Sequence, residues 1–543
     1  VLLALAAATL GACSAADDAA KDGAGAHDDP ASPRMREGAP RDPNATGLPS
    51  SGAPGAGGTG GDETGGTSDP ALPSAPLRAS VKVRLVPNQS GPSRVNFAVP
   101  FGKGWLRDER LVRVTIAGAE PAAVGTRVLA RHADGSIRSL QLQFDSDVRA
   151  PVETDVALGT PRSARALDLV PVASTLVPKG QASIPRVWAV LPADWLADTA
   201  ATGPTLPEAA TTGPAAAYRR VCDYGRHNAD AFERLQTDSS VWLYDRPTTL
   251  YRGYARRGDL ATLESAYREA DIYRSGIRGA GAQTTIGLSD KADDLKYHYT
   301  QGLALHYLLS GDDRFREAAE NIAERIASLW PRPEYSGGAR FWTERHAGFA
   351  LLGYVWAQIV SDDRAPRFAK LADDAVAAYV RAQNAIPSGY TDAAARCFAH
   401  EAEAHGEPYG YMGCSPWMSA ILADGLESYA LAREGAQAEQ ARSAIVKLGR
   451  ILARSGRDKA TGRPFYWMGV GVTQNEPDAY DEHWGESAYV IAMAWHYSGR
   501  KDDAMRTAAT DLMNGLGRYG TAPHMRSFNW QCRSAVAAAH YIK

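Results

Sequence analysis

The sequence predicts a multidomain α+β protein, an N-terminal antiparallel β-sandwich followed by an (α/α) toroid, and three observations carry that prediction. Between residues 79 and 176 apolar and polar side chains alternate in runs such as VKVRLVP, VNFAVPF and LVRVTIAG, broken by Gly, Pro and Asp-Gly turns. Further on a helical pattern returns: Tyr244 to Asp259 reads YDRPTTLYRGYARRGD, Tyr297 to Asp312 reads YHYTQGLALHYLLSGD, and Glu344 to Asp362 reads ERHAGFALLGYVWAQIVSD. Apolar side chains three and four positions apart give each segment one buried face. The closing turns at Gly258, Gly311 and Ser361 recur roughly every 50 residues, the length of a two-helix unit, with looser returns at Gly435 and Gly499. Such a series closes most simply into a ring of helical hairpins with a cleft at one end.

At 543 residues the chain can hold roughly two or three domains with sizeable cores. The net charge of -3 rules nothing in, but Lys and Arg form no dense stripe, which argues against a nucleic-acid partner. Residues 1–12 and Cys13, VLLALAAATLGAC, resemble a bacterial lipoprotein signal, an apolar run too short to span a bilayer that is cut before a Cys whose thiol is lipidated. On that reading Cys13 anchors the protein to the cell envelope, with Ser14 fitting outer-membrane sorting; the alternative is an ordinary secretory signal. The first residue is Val, so the gene start is expected upstream. Residues 13–78, rich in Ala, Gly, Asp, Pro, Ser and Thr, lack the apolar surface to fold and read as a tether.

Without Cys13, Cys222, Cys397, Cys414 and Cys532 remain, an even number that in an exported protein suggests two disulfides with three pairings open. Cys397 with Cys414 would staple one loop, and Cys222 with Cys532 would tie the first helix to the last. No Cys-x-x-Cys or clustered Cys/His spacing points to a metal.

In the β domain, residues 79–176, His132-Ala133-Asp134-Gly135-Ser136 is the clearest hairpin. Arg138, Gln141 and Gln143 interleave with Leu140, Leu142 and Phe144 after it, so one face is expected to be buried and the other polar. This segment resembles the N-terminal domain of the exo-rhamnogalacturonan lyase family. Phe97, Val99, Pro100, Phe101 and Gly104 fit one family motif, and Asp134, Gly135, Ser136 and Ile137 fit a second. His132 and Ser139 stand where that family has Trp. The resemblance covers about a hundred residues and implies an (α/α) toroid holding an active site in the second part of the chain. Residues 177–213 read as a Pro/Ala/Gly/Thr-rich connection and residues 214–543 as helices.

Polar residues at the helix starts are the candidate site. A first group is Asp293, Asp294, Lys296, Tyr297 and His298; the acids there also suit a helix N-terminus, whereas Tyr297 and His298 are hard to explain as caps. A second is Arg340, Trp342, Glu344, Arg345 and His346, with Arg345 and His346 within a few positions of the register of Tyr297 and His298. A third is the Gly- and Tyr-rich loop containing His405, Glu407, Tyr409 and Tyr411, where Gly permits close approach and Tyr offers a ring face and a phenol. Tyr466 and Trp467 form a fourth. The densest polar-aromatic run is Asp478 through Tyr480, Asp481, Glu482, His483 and Trp484 to Glu486; it is also where calcium could bind, although its spacing is not that of an EF-hand. Otherwise no cofactor is expected.

The chemistry expected of these residues is cleavage of a uronic-acid-containing polysaccharide by β-elimination. A cation must neutralise the carboxylate, a base must take the C5 proton, and an acid must protonate the leaving oxygen. Arg345 suits the first role, His346 or His298 the second, Tyr297 or Tyr411 the third, with His483 also lining the cleft. Trp342, Glu344, Glu407, Tyr409, Tyr466, Trp467, Tyr480, Glu482 and Trp484 are the substrate-binding candidates. The alternatives are a glycoside hydrolase on the same scaffold, using two carboxyl groups such as Glu344 and Glu482 about 5 to 9.5 Å apart, and a surface glycan-binding lipoprotein without catalysis. No phosphate loop, zinc-protease motif or nucleophile elbow is present in the sequence.

Overall fold

The computed structural model describes residues 79–331, 342–518 and 522–543, so the expected signal, the lipidated Cys13, the tether and Arg340 lie outside the described residues. The described residues belong to one compact unit.

The alternating segment forms β1 (Ser80–Pro87), β2 (Gly91–Pro100), β3 (Val112–Ile116), β4 (Ala123–Arg131), β5 (Ile137–Val148), β6 (Val152–Leu158) and the short β7 (Arg165–Ala166). A hairpin of β8 (Leu176–Lys179) and β9 (Ala182–Pro185) and then β10 (Val187–Val190) follow. Two four-stranded sheets result, in the orders β10-β1-β6-β3 and β2-β5-β4-β7, antiparallel except where β7 joins β4. Val81, Val83 and Leu85 of β1, Val112 and Val114 of β3, and Val95, Phe97 and Val99 of β2 with Leu140, Leu142 and Phe144 of β5 are buried in one core, as period-two alternation requires.

The other face of β2 and β5 is polar, as expected, and it is covered rather than open to solvent. Asn96, Ser139, Gln141 and Gln143 are all buried. They satisfy one another and the end of a helix: Gln141 and Gln143 donate to the Asn96 side-chain oxygen, Asn96 donates to the Ser310 carbonyl, and the Ser139 hydroxyl donates to the Leu308 carbonyl. Arg127 adds bonds to the Gly311 carbonyl and Asp313. The polar face is therefore an interface whose partners are orphan C-terminal carbonyls of a helix. Ser139, small and hydroxylated, lets that helix end come close.

After α1 (Ala193–Asp198), α2 (Tyr218–Val221) and α3 (Ala229–Leu235), long helices alternate in character. α4 (Arg246–Arg257), α6 (Gln301–Ser310) and α8 (Glu344–Val360) are buried almost throughout, as are α10 (Ser419–Ala432) and α12 (Trp484–Tyr497). Between them α5 (Leu260–Gly276), α7 (Asp313–Leu329), α9 (Ala365–Ala385), α11 (Ala436–Ser455) and α13 (Asp503–Leu516) each pack on the buried helix before them. α4 touches α6, α6 touches α8, α8 touches α10 and α10 touches α12; α14 (Met525–Arg533) packs back on α4, and α15 (Ala538–Ile542) lies on α12.

The predicted turns have a specific chemistry. Gly258 and Gly311 end α4 and α6 in the left-handed conformation that Gly adopts without strain, and the next residues, Asp259 and Asp312, cap α5 and α7 by accepting backbone N–H groups. Two buried disulfides join Cys222 to Cys532 and Cys397 to Cys414, the pairing favoured from sequence. A small sheet, β11 (His400–Glu401), β12 (Met412–Cys414), β13 (Phe465–Gly469) and β14 (Asn475–Pro477), is built from the loops before α10 and α12. No described helix is long and apolar enough to cross a membrane.

Candidate functional site

The starts of the buried helices converge. Thr343 caps α8 by accepting the His346 N–H, which fixes Arg345 and His346 on its first turn. Tyr244 stands just before α4, Tyr297 in the turn before α6, Trp417 before α10 and His483 at the cap of α12. Tyr244 and Asp245 both have positive φ, 76° and 57°, as does Asp481 at 57°. For residues with a Cβ this is strained, and consecutive cases held by surrounding structure are characteristic of functional sites. Asp245 is held by accepting the Thr248 N–H and hydroxyl, and the Tyr244 N–H donates to Tyr299.

The side chains assemble into an aromatic cluster. His483 stacks on Trp417 at 4.5 Å and lies 4.9 Å from Trp530; Tyr244 meets the edges of both tryptophans at 5.8 and 5.5 Å. Tyr466 packs against Trp417, His405, Tyr480 and His483 at 5.7 to 6.3 Å. The Arg345 guanidinium lies 5.8 Å over Trp417. Among the described residues it has no carboxylate in ion-pair contact. Burial opposes its charge, but Tyr244, Tyr466 and the Asp294 carboxylate together outweigh burial and raise its pKa.

The accessible rim is polar. His346 and Asp294 keep about a fifth of their side-chain surface, with His346 Nε2 4.0 Å from Asp294 Oδ1 and His346 Nδ1 2.6 Å from the Thr343 hydroxyl. Burial pushes the His346 imidazolium down to about 3 despite Asp294, so the ring is neutral at neutral pH. Lys296 pairs with Asp294 at 2.7 Å and, with His346 and Arg345, keeps that carboxyl below its ordinary range against the opposing effect of burial. On the other side the Tyr466 hydroxyl donates to Glu407 at 3.3 Å, and burial raises its pKa. Glu407 lies 3.7 Å from His405 Nδ1, which is the main cause of its lowered pKa; burial pushes His405 itself down to about 4. His483 goes the other way. Burial opposes its charge, but Asp478, Glu486 and Glu482 around it raise its pKa above the usual histidine value.

The other sequence candidates are buried behind the cluster or stand at its edges. His298 is wholly buried, its Nδ1 3.0 Å from the Asp294 carbonyl and its charge disfavoured first by burial, then by Arg325. Glu344 is also wholly buried, 2.7 Å from His400 Nε2 and accepting the Ser415 N–H, so it braces the start of α10. Trp342 packs among Tyr379, Phe398 and His400; Trp467 is buried between His400 and His405; Trp484 is buried against Gly515 with its indole N–H on Asp481. Tyr297 is nearly buried, with burial and then Asp294 raising its pKa. Tyr411 donates to Glu476, Tyr409 stacks on Tyr411 and Trp467, and Glu482 accepts the Ser527 hydroxyl. Tyr480, 42% exposed, stands at the open edge.

The acidic run is used by its own backbone. Asp478 accepts the N–H groups of Tyr480, Glu482 and His483, and Asp481 pairs with Arg463 at 3.0 Å. Among the described residues no group of three His, Cys, Asp or Glu side chains is placed to hold a metal ion.

Sequence reasoning passed over Tyr244, Trp417 and Trp530. Tyr244 carried a usable signal, since it precedes the first repeat as Tyr297 precedes the second; Trp530 carried none. The chain matches no protein-family model and no curated protein.

Proposed function

We propose that the protein is an exported polysaccharide lyase that cleaves a uronic-acid-containing glycan by β-elimination in a cleft at the helix starts of an (α/α) toroid. The return of α14 to α4 supports the toroid, and the lipoprotein-like signal supports an envelope location. The observation that carries the reading is Arg345, a cation at the helix starts that lies over an indole face and beside two phenols, with Asp294 near enough to favour its charge but not in ion-pair contact with it. A guanidinium that can bind both oxygens of a carboxylate is what a uronate requires, and Lys296 pairs with the neighbouring Asp294.

The roles follow from access and protonation. With His346 Nδ1–H donated to Thr343, the Nε2 lone pair is free to take the C5 proton, and Asp294 stabilises the imidazolium that results. Arg345 neutralises the substrate carboxylate, which lets charge spread into it as the proton leaves. Tyr466, kept protonated by burial and bonded to Glu407, gives its proton to the departing glycosidic oxygen. The pair Glu344 and Glu482 offered for hydrolysis is less suited, because Glu344 is sealed against His400 and Ser415.

The test is ultraviolet absorbance of the conjugated double bond that elimination leaves in a uronate, measured on a panel of acidic and neutral polysaccharides. Absorbance should rise with an acidic glycan and fall by about a hundredfold or more in His346→Ala. New reducing ends without absorbance would replace this reading with a hydrolase, and binding with neither signal would replace it with a glycan-binding protein.

A further inference from the structure

At the opposite end of the buried helices the β domain and the helical part enclose a cavity of about 610 Å³, within the range of small-ligand sites. Its walls are the end of β4, the hairpin His132 to Gly135, and the last turns of α8 and α10. Arg345 and Gln358 are thirteen positions apart on α8, so the cavity lies about 20 Å along the helix from the aromatic cluster at a rise of about 1.5 Å per residue. It is a separate place in the molecule, and the proposed reaction makes no use of it.

The cavity holds an uncompensated charge. The Arg138 guanidinium lies 5.5 Å over the Trp356 ring, and it has no hydrogen bond or ion pair among the described residues. The surrounding cations and acids are already engaged. Arg131 donates to the Gly135 carbonyl, Arg433 binds Asp373 and Gln358, Glu434 pairs with Lys103 at 2.6 Å and Asp362 with Arg316 at 3.1 Å. His132 contributes no charge, because burial and then Arg138 push it down to about 4, and its Nε2 lies 2.9 Å from the Phe101 carbonyl. A partly desolvated cation without a counter-charge is unfavourable, and a carboxylate supplied from outside would offset that cost. The lining also has an apolar part, Val128, Ile359 and Leu431, the last 43% exposed.

We propose that this junction cavity is a second binding site, for a sugar acid, with Arg138 clasping the carboxylate and the Val128–Ile359–Leu431 wall covering a C–H face of the ring. The carboxylate class rests on Arg138 and the size and apolar wall on the cavity, so the site stands whether or not the cluster at the other end is a lyase.

Isothermal titration calorimetry of the full chain with galacturonate, galactose and sulfate tests it. Galacturonate should bind at least tenfold more tightly than either control, and Arg138→Gln and Leu431→Asp should each weaken that binding at least tenfold while Arg345→Met retains it. Leu431→Asp sits on a half-exposed position and so decides the matter if Arg138→Gln fails to fold. If the helix-start cluster also binds galacturonate, the stoichiometry is two, and Arg345→Met and Arg138→Gln each remove a different one. Equal binding of galactose or sulfate, no binding, or loss in Arg345→Met alone would overturn the proposal.

Discussion

Cations in two parts of the helical region are treated in opposite ways. In the interior, Asp424 of α10 accepts two bonds of 2.8 Å from Arg252, one of 2.6 Å from Arg533 and one of 2.9 Å from the Ser534 hydroxyl, and Arg533 continues to Gln301 at 2.6 Å. At the helix starts, Arg345 is surrounded by Tyr244, Tyr466 and Trp417. Arg252 and Arg533 are neutralised within the chain, because an unpaired buried charge is costly. A charge faced by phenols and a ring leaves the carboxylate to be supplied by a ligand. That difference identifies the site more directly than the density of polar residues does.

The largest effect should come from breaking the interior network. Asp424→Ala leaves Arg252 and Arg533 buried without a counter-charge, a loss of about 3 to 5 kcal/mol, readable as a shift in the urea midpoint. The pH dependence has a definite sign. Burial opposes ionisation of Asp424, but Arg252 and Arg533 outweigh it and lower its pKa to about 2. Its contribution is present above the unfolded carboxyl pKa of about 4 and is lost as pH falls through the folded value. A midpoint unchanged in Asp424→Ala would remove the contrast with Arg345.

Glu427 sharpens the comparison from the other side. It sits one turn from Asp424, accepts the Tyr489 hydroxyl at 3.1 Å, and is raised to about 8, first by burial and then by the Asp424 charge. Between its ordinary value and about 8 the folded state keeps a proton the unfolded state has released, so stability falls as pH rises through that window. Glu427→Gln should flatten this slope and gain on the order of 2 kcal/mol at pH 7. Thermal unfolding of both proteins at pH 5 and pH 8 measures it, and an identical slope in the variant would mean that Glu427 is ionised in the folded state.

A loss of comparable size is expected from Cys397→Ser with Cys414→Ser. That disulfide closes 17 positions, against 310 for Cys222–Cys532, and loop-closure entropy gives about 3 kcal/mol or less for a loop of that size. Reduced stability in urea with cleft binding retained is the expected outcome. Loss of binding would place the Cys397–Cys414 loop within the site rather than behind it.

What the sequence made legible follows from how local each cause is. Helix ends were readable because Gly258 with Asp259 and Gly311 with Asp312 stop one helix and start the next within two residues. The polar face of β5 is legible as polar, but what covers it is not, because one of its partners is a backbone carbonyl; Ser139 meets Leu308, 169 positions away, and no side-chain pattern records that. His298 and His346 share a register in the sequence, but His298 ends a single 3-10 turn that places it near Arg325, whereas His346 is on the first turn of α8. Trp342, Trp467 and Trp484 were expected to bind sugar and are buried against protein. An aromatic side chain buries its faces either way, so composition cannot separate the two uses.

The smallest stability effect should come from the residue with the largest effect on activity. Arg345→Met strands no carboxylate in an ion pair, and the Met stem can keep the packing over Trp417 that the Arg stem provides. Its stability should therefore change by less than about 1 kcal/mol, while elimination activity falls by about a hundredfold or more because the uronate carboxylate loses its counter-charge. Arg345→Lys restores charge without the planar fork, so it should recover part of the binding and less of the rate. Urea unfolding and absorbance assays on the three proteins together are decisive: a stability loss in Arg345→Met as large as that in Asp424→Ala would make Arg345 one more structural cation, and the distinction between the two ends of the network would have no functional content.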